Sequence, residues 1–179
     1  MRFTPTTISG AVIIDLEAHV DERGFFARIV AQDEFAAEGL NAQFVQSSVS
    51  WNAQTAVLRG LHYQAAPHGE EKLVRATRGV IFDVIVDLRE ESPSFGCWFG
   101  VELSAENHRQ LYIPKGVAHG FQTLVAETEV LYQMTTPFVP DAARGIRWDD
   151  PDIAIEWPEA PSRIVSARDA ALPLLKDAA

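Results

Sequence analysis

A mostly β fold, a jelly roll or small barrel, is what the sequence predicts. Three observations carry it. Short runs rich in Val, Ile, Phe and Tyr recur along the chain, Gly and Pro punctuate them, and no helix-length pattern alternates with them. At 179 residues, 47% hydrophobic and 22% charged, the chain fits one domain over 1–179 with a substantial core.

The elements follow in order. Ala11–Ile14 reads as an early strand, and Asp21-Glu22-Arg23-Gly24 turns into a second over Phe25–Val30. Gln32–Leu40 carries the helical stripe Phe35, Ala36 and Leu40, with Gly39 weakening its end. Phe44–Ser50 is a polar-faced strand leading to Val57–Gln64. Alternation along that run puts Leu58, Gly60, His62 and Gln64 on one face, with Arg59, Leu61 and Tyr63 on the other. Lys72–Thr77 and Val80–Leu88 read as a hairpin about Arg78-Gly79, with Asp83 and Asp87 opposite Phe82, Val84 and Val86. Strands at Trp98–Leu103, Gln110–Ile113, Val117–Leu124 and Glu129–Met134 follow, the second stopped by Pro114-Lys115-Gly116. Trp148–Pro151 and Trp157-Pro158 suit a covering segment, and Ser166–Lys176 a short closing helix.

Charge and cysteine usage narrow the partners. A net charge of −10 and no stripe of Lys or Arg argue against a nucleic-acid partner, although a pocket can still be locally positive. Cys97 stands alone and cannot close an internal disulfide, which suits a reducing compartment. No apolar run has signal-peptide or bilayer-spanning length, so a soluble cytoplasmic protein with no membrane association is expected.

Chemistry concentrates on His62 and Lys72. Lys72 opens the strand that follows, and an antiparallel return would bring it close to His62. An imidazole that takes a proton near pH 7, beside a cation, is what α-proton abstraction from a ketone requires. Taken singly, a His in an apolar strand is most often a hydrogen-bonded core residue and a Lys a solvated one. A metal site is the rival reading, because His62, His68, Glu70, Glu71 and His119 supply ligand types. Gln64, however, removes the close His-x-His pair, and Lys72 puts a like charge where a metal would sit.

Two sets of motifs then carry a family resemblance. The first is Arg23-Gly24-Phe25-Phe26, Leu58-Arg59-Gly60-Leu61-His62-Tyr63-Gln64, Lys72-Leu73-Val74-Arg75 and Phe82–Arg89. The second is Ser92-Pro93 through Phe95-Gly96, Ile113-Pro114 with His119-Gly120-Phe121, Asp150-Pro151 and Trp157-Pro158. In order and spacing, over nearly the whole chain, the sequence resembles the dTDP-4-dehydrorhamnose 3,5-epimerases, cupin-fold enzymes of nucleotide-sugar metabolism. The resemblance implies inversion of C3 and C5 of dTDP-4-dehydro-6-deoxy-D-glucose, with no metal, no organic cofactor and a homodimer. Inversion at one carbon only, a metal-dependent cupin and a silent sugar-binding cupin are the alternatives.

The resemblance also implies roles, residue by residue. His62 matches the general base, Asp169 the carboxylate that orients it, Tyr132 the acid on the other face of the sugar, and Lys72 the cation near the C4 oxygen. Arg23, Phe26, Arg28, Gln46, Ser48, Arg59, His119, Phe138 and Arg168 fall at substrate-binding positions. Arg28, Ser48, Phe138 and Ala143 depart from the usual family residues. A phenylalanine at 138 keeps a stacking ring but gives up one hydrogen bond, roughly 1 kcal/mol, so recognition of the base is less secure than the chemistry. Singly, Tyr132 could be a core aromatic, Asp169 a helix cap and Arg59 a partner of Asp83. The ordered whole-chain match favours the functional roles.

Overall fold

The computed structural model describes residues 1–178. In chain order its elements are β1 (Arg2–Pro5), β2 (Val12–Asp15), β3 (His19–Asp21), β4 (Gly24–Phe26), α1 (Gln32–Ala37), β5 (Gln46–Asn52), β6 (Val57–Gln64) and β7 (Lys72–Arg78). They continue with β8 (Val80–Asp87), β9 (Trp98–Ser104), β10 (Gln110–Ile113), β11 (Val117–Thr123), β12 (Thr128–Met134), β13 (Ala143–Gly145), β14 (Ile164–Val165) and α2 (Ala167–Ala170). One sheet runs β1-β2-β10-β7-β12-β5, the other β13-β6-β11-β8-β9 with β14 added parallel to β6. The jelly-roll expectation holds.

Alternation along each strand sorts the apolar side chains into three layers. Val74, Ile81, Ile85, Leu111, Ile113, Phe121 and Val130 meet between the sheets. Leu61, Val84, Val86 and Ala118 face the other way, under Ile153, Ile155 and Trp157, so the C-terminal segment covers that sheet. Leu73 and Tyr112 turn outward from the six-stranded sheet and meet Phe35 of α1, whose ring packs edge-on against Phe3 at 5.5 Å and Phe44 at 6.4 Å. Full burial of Phe35 contributes about 1.5–3 kcal/mol, which fastens a six-residue helix too short to stand alone.

Four expectations need correction. β7 and β8 are not a hairpin: β7 pairs with β10 and β12, β8 with β9 and β11, and the chain crosses between sheets at Gly79. Two strands flanking Arg78-Gly79 show the same sequence pattern whether they close a tight hairpin or cross from sheet to sheet. The strand expected over Phe25–Val30 is only β4, paired with β3 in a separate two-stranded ribbon. The closing helix is one turn, α2, because Pro173 has no N–H to donate and disfavours helical backbone before it.

The fourth correction bears on the site. His62 pairs with His119 while Arg59 pairs with Phe121, three steps on β6 against two on β11. A bulge at Gly60 resets the alternation, so Arg59 and His62 reach the same cavity instead of opposite faces. Gly60 has φ +126°, and a Cβ there would lie 2.5 Å from the Cα of Gly120. Gly60→Ala should therefore cost about 2–3 kcal/mol in urea denaturation. A loss under about 0.5 kcal/mol would show that the crossing relaxes freely.

Candidate active site

β6 and β11 of one sheet face β5, β7 and β12 of the other across a cavity of about 510 Å³, within the range of small-molecule sites. His62, Lys72, Tyr132 and Asp169 all line it, as do Gln46, Ser48, Arg59, His119, Phe138 and Arg168. Arg23, Phe26 and Arg28 do not. Arg23 pairs with Asp21 and Arg28 with Glu34, both at the surface, and Phe26 is 74% exposed on the β3–β4 ribbon. The single chain thus brings together ten of the thirteen candidate residues.

His62 Nε2 lies 2.8 Å from Asp169 Oδ1, and the Gly60 N–H donates to Asp169 Oδ2 at 3.3 Å. Local sequence explains why that carboxylate is available. Ser166 is the N-cap of α2 and accepts the Asp169 N–H at 3.1 Å, so the Asp169 side chain is not needed as the cap and turns to β6. An Nε2–H donated to Asp169 leaves the imidazole lone pair on Nδ1. The ring keeps 40% of its side-chain surface open to the cavity. Desolvation by the surrounding walls lowers its pKa below the usual 6.5. Asp169 opposes that shift, while Lys72 and His119 add to it. His62 is therefore neutral at pH 7.

Lys72 does come close to His62, by a different route from the antiparallel return expected. β6 and β7 belong to opposite sheets, and the Lys72 ammonium spans the gap to the His62 carbonyl at 3.1 Å. It also pairs with Glu70 at 3.1 Å. Arg59 donates to Asn52 Oδ1 at 2.8 Å and leaves Asp83 to His119, whose Nε2 lies 2.7 Å away. Burial raises the Asp83 pKa, with His119 pulling the other way. The Tyr132 ring stands edge-on to His119 at 5.9 Å. Burial, reinforced by Asp83, raises the Tyr132 pKa far above its usual 10, so the phenol keeps its proton.

Sequence reasoning missed several wall residues. Ser50 and Met134 lie two positions beyond Ser48 and Tyr132 on the same strands, so alternation would have found them. Arg144 sits on the three-residue β13, too short to leave a periodic signal. Glu70 was marked only as a metal-ligand type, yet it pairs with Lys72, while Glu71 bonds Thr135 and lies 3.6 Å from Lys115. Among the described residues no three His, Cys, Asp or Glu side chains gather as a metal-binding group.

A jelly-roll cavity holding a neutral imidazole on a carboxylate, an ammonium and a protonated phenol belongs to the cupin-like enzymes that move protons beside a carbonyl. The family model for dTDP-4-dehydrorhamnose 3,5-epimerase matches residues 5–177. The enzyme of that name from Salmonella typhimurium is 47% identical over 97% of this chain and 94% of its own. Two solved structures superpose closely. That from Bacillus anthracis, with TDP and PPi bound, has TM-score 0.93 and 42% identity over 97% of this chain and 98% of its own. That from Legionella pneumophila, in complex with dTDP-4-keto-L-rhamnose, has TM-score 0.92 and 41% identity over 98% of this chain and 93% of its own. The chain belongs to the dTDP-4-dehydrorhamnose 3,5-epimerase family.

The electrostatics of His62 give a direct check. In an NMR titration its ring should protonate below pH 6.5, and Asp169→Asn should move the midpoint lower still, because the carboxylate is what favours the charged form. A midpoint that rises in Asp169→Asn would reverse the assigned sign.

Proposed function

We propose that this protein inverts C3 and C5 of dTDP-4-dehydro-6-deoxy-D-glucose, giving dTDP-4-dehydro-L-rhamnose. One observation carries the assignment of roles: the His62–Asp169 dyad and the Tyr132 phenol enter one cavity from opposite sheets, with Lys72 beside them. The relative bound to dTDP-4-keto-L-rhamnose, the doubly inverted sugar, supports that product.

The hydrogens on C3 and C5 flank the C4 ketone. Nδ1 of His62 takes one of them, and the C–H electron pair moves into the ring as the C4 oxygen becomes an enolate. The Lys72 ammonium stabilises that oxygen. Tyr132 returns a proton to the opposite face of the carbon, and the configuration inverts. Its raised pKa suits the task, since the phenol holds its proton until a carbon more basic than a phenolate accepts it. Asp169 stabilises the imidazolium formed at the first step. The same groups serve the second carbon once the sugar has shifted in the site and solvent has taken the proton from His62 and returned one to Tyr132.

The diphosphate calls for arginines, and Arg59, Arg144 and Arg168 supply them at the cavity of an acidic chain. We further propose that the enzyme is one domain and works as a homodimer in the cytoplasm. The β3–β4 ribbon exposes Val20, Phe25 and Phe26 beside Arg23, an apolar surface that a second copy would cover. The unpaired, exposed Cys97 suits a reducing compartment.

Incubation with the substrate in D2O, followed by mass spectrometry, tests the function. Two deuteriums are expected, one at each carbon. A single deuterium would limit the enzyme to one centre, and tight binding without exchange would leave only a sugar-binding module. Exhaustive chelation should leave the rate unchanged. His62→Asn should lower exchange at both carbons on the order of 10²–10⁴-fold. Tyr132→Phe should retain wash-out of the substrate proton and lose inversion. Equal loss of exchange in both variants would break the two-face assignment.

A further inference from the structure

A lysine ammonium has three N–H donors and no acceptor. In Lys72 one is donated to the His62 carbonyl at 3.1 Å, and the ammonium forms an ion pair with Glu70, whose Oε1 lies 3.1 Å away. The N–H donors not given to the carbonyl are available to the cavity that Lys72 lines. Both side chains are enclosed, Lys72 at 11% and Glu70 at 9% exposure, so the pair holds its geometry with little help or interference from water.

Glu70 is itself fixed. Its Oε2 accepts from Gln64 Nε2 at 2.6 Å. The Gln64 carboxamide cannot flip, because its Oε1 accepts the Val139 N–H at 2.6 Å while Nε2 also reaches the carbonyls of His68 and Pro137. Every orientation along the line Val139, Gln64, Glu70, Lys72 is set by the one before it.

We infer that Glu70 is a positioning residue for Lys72: its carboxylate, locked by Gln64, holds the ammonium by the ion pair so that a free N–H meets the ketone oxygen of the substrate. The inference rests on the role proposed above for Lys72. Lysine carries its charge on a flexible four-carbon stem, so loss of the ion pair leaves the ammonium free to swing. Displacement of a charge-stabilising group by about 1 Å costs on the order of 10²-fold in rate.

A double-mutant cycle with Lys72→Met tests it, read as kcat and KM for dTDP-4-dehydro-6-deoxy-D-glucose. Glu70→Ala should lower kcat about 10- to 100-fold while KM moves less than about threefold. Glu70→Gln, whose single oxygen can serve Lys72 only by turning its NH2 against that of Gln64, should recover part of the loss and fall between alanine and the parent. Glu70→Asp, one methylene short of spanning Gln64 and Lys72, should lose kcat much as alanine does, and it serves if the alanine variant does not fold. In the Lys72→Met background, removal of Glu70 should cost less than about twofold, because there is no ammonium left to aim. An equal loss in both backgrounds, or an unchanged kcat in Glu70→Ala, overturns the inference. Full kcat in Lys72→Met alone is a separate result: it removes the proposed role of Lys72, and the inference with it.

Discussion

The contact on which the site depends is the near-touching of two backbones, β6 at Gly60 against β11 at Gly120. A Cβ on either glycine would lie 2.5 Å from the facing main chain, at Gly120 Cα in one case and Arg59 O in the other. At that distance the strands no longer run in step, and the bulge turns both Arg59 and His62 inward. The same turn presents the Gly60 N–H to Asp169, so one irregularity positions the imidazole, holds the carboxylate that orients it and aims a cation at the cavity. A regular ladder would give up one of the three.

The electrostatics are built against the character of the chain. A protein of net charge −10 surrounds one cavity with Arg59, Lys72, Arg144 and Arg168. The low-dielectric walls that disfavour a charged imidazole also keep the Tyr132 proton in place, so a single cause, desolvation, sets the protonation of both groups.

How much of this the sequence made legible follows from what pattern can encode. Strand periodicity places Val74, Ile81, Ile85 and Val130 in the core, because one buried face demands strict alternation. It misreads Lys72–Asp87, since two strands about Arg78-Gly79 look the same whether they pair with each other or cross between sheets. It puts Arg59 opposite His62, since a bulge leaves no mark beyond a glycine. The Asp169 partnership joins residues 107 positions apart, and no local pattern carries it; the family resemblance points to Asp169, and Ser166 at the cap is the local feature that frees its carboxylate. Arg23, Phe26 and Arg28 lie away from the cavity because the β3–β4 ribbon and the surface ion pairs to Asp21 and Glu34 hold them at the exterior.

The cavity contains two His–Asp pairs of nearly equal length, and residue type does not tell them apart. His62 meets Asp169 at 2.8 Å and His119 meets Asp83 at 2.7 Å, and the two histidines are direct cross-strand partners. Exposure separates them. A base must bring a lone pair to the carbon it deprotonates; His62 keeps 40% of its side-chain surface open, whereas His119 keeps 4%. Asp83, fully buried and carrying one oxygen without a partner, holds the inner imidazole against the Tyr132 ring instead of readying it for exchange. Asp169 comes from a one-turn helix at the rim and Asp83 from a central strand. The same pair of residue types is thus open to the cavity in one case and sealed into its wall in the other, according to which element delivers the carboxylate.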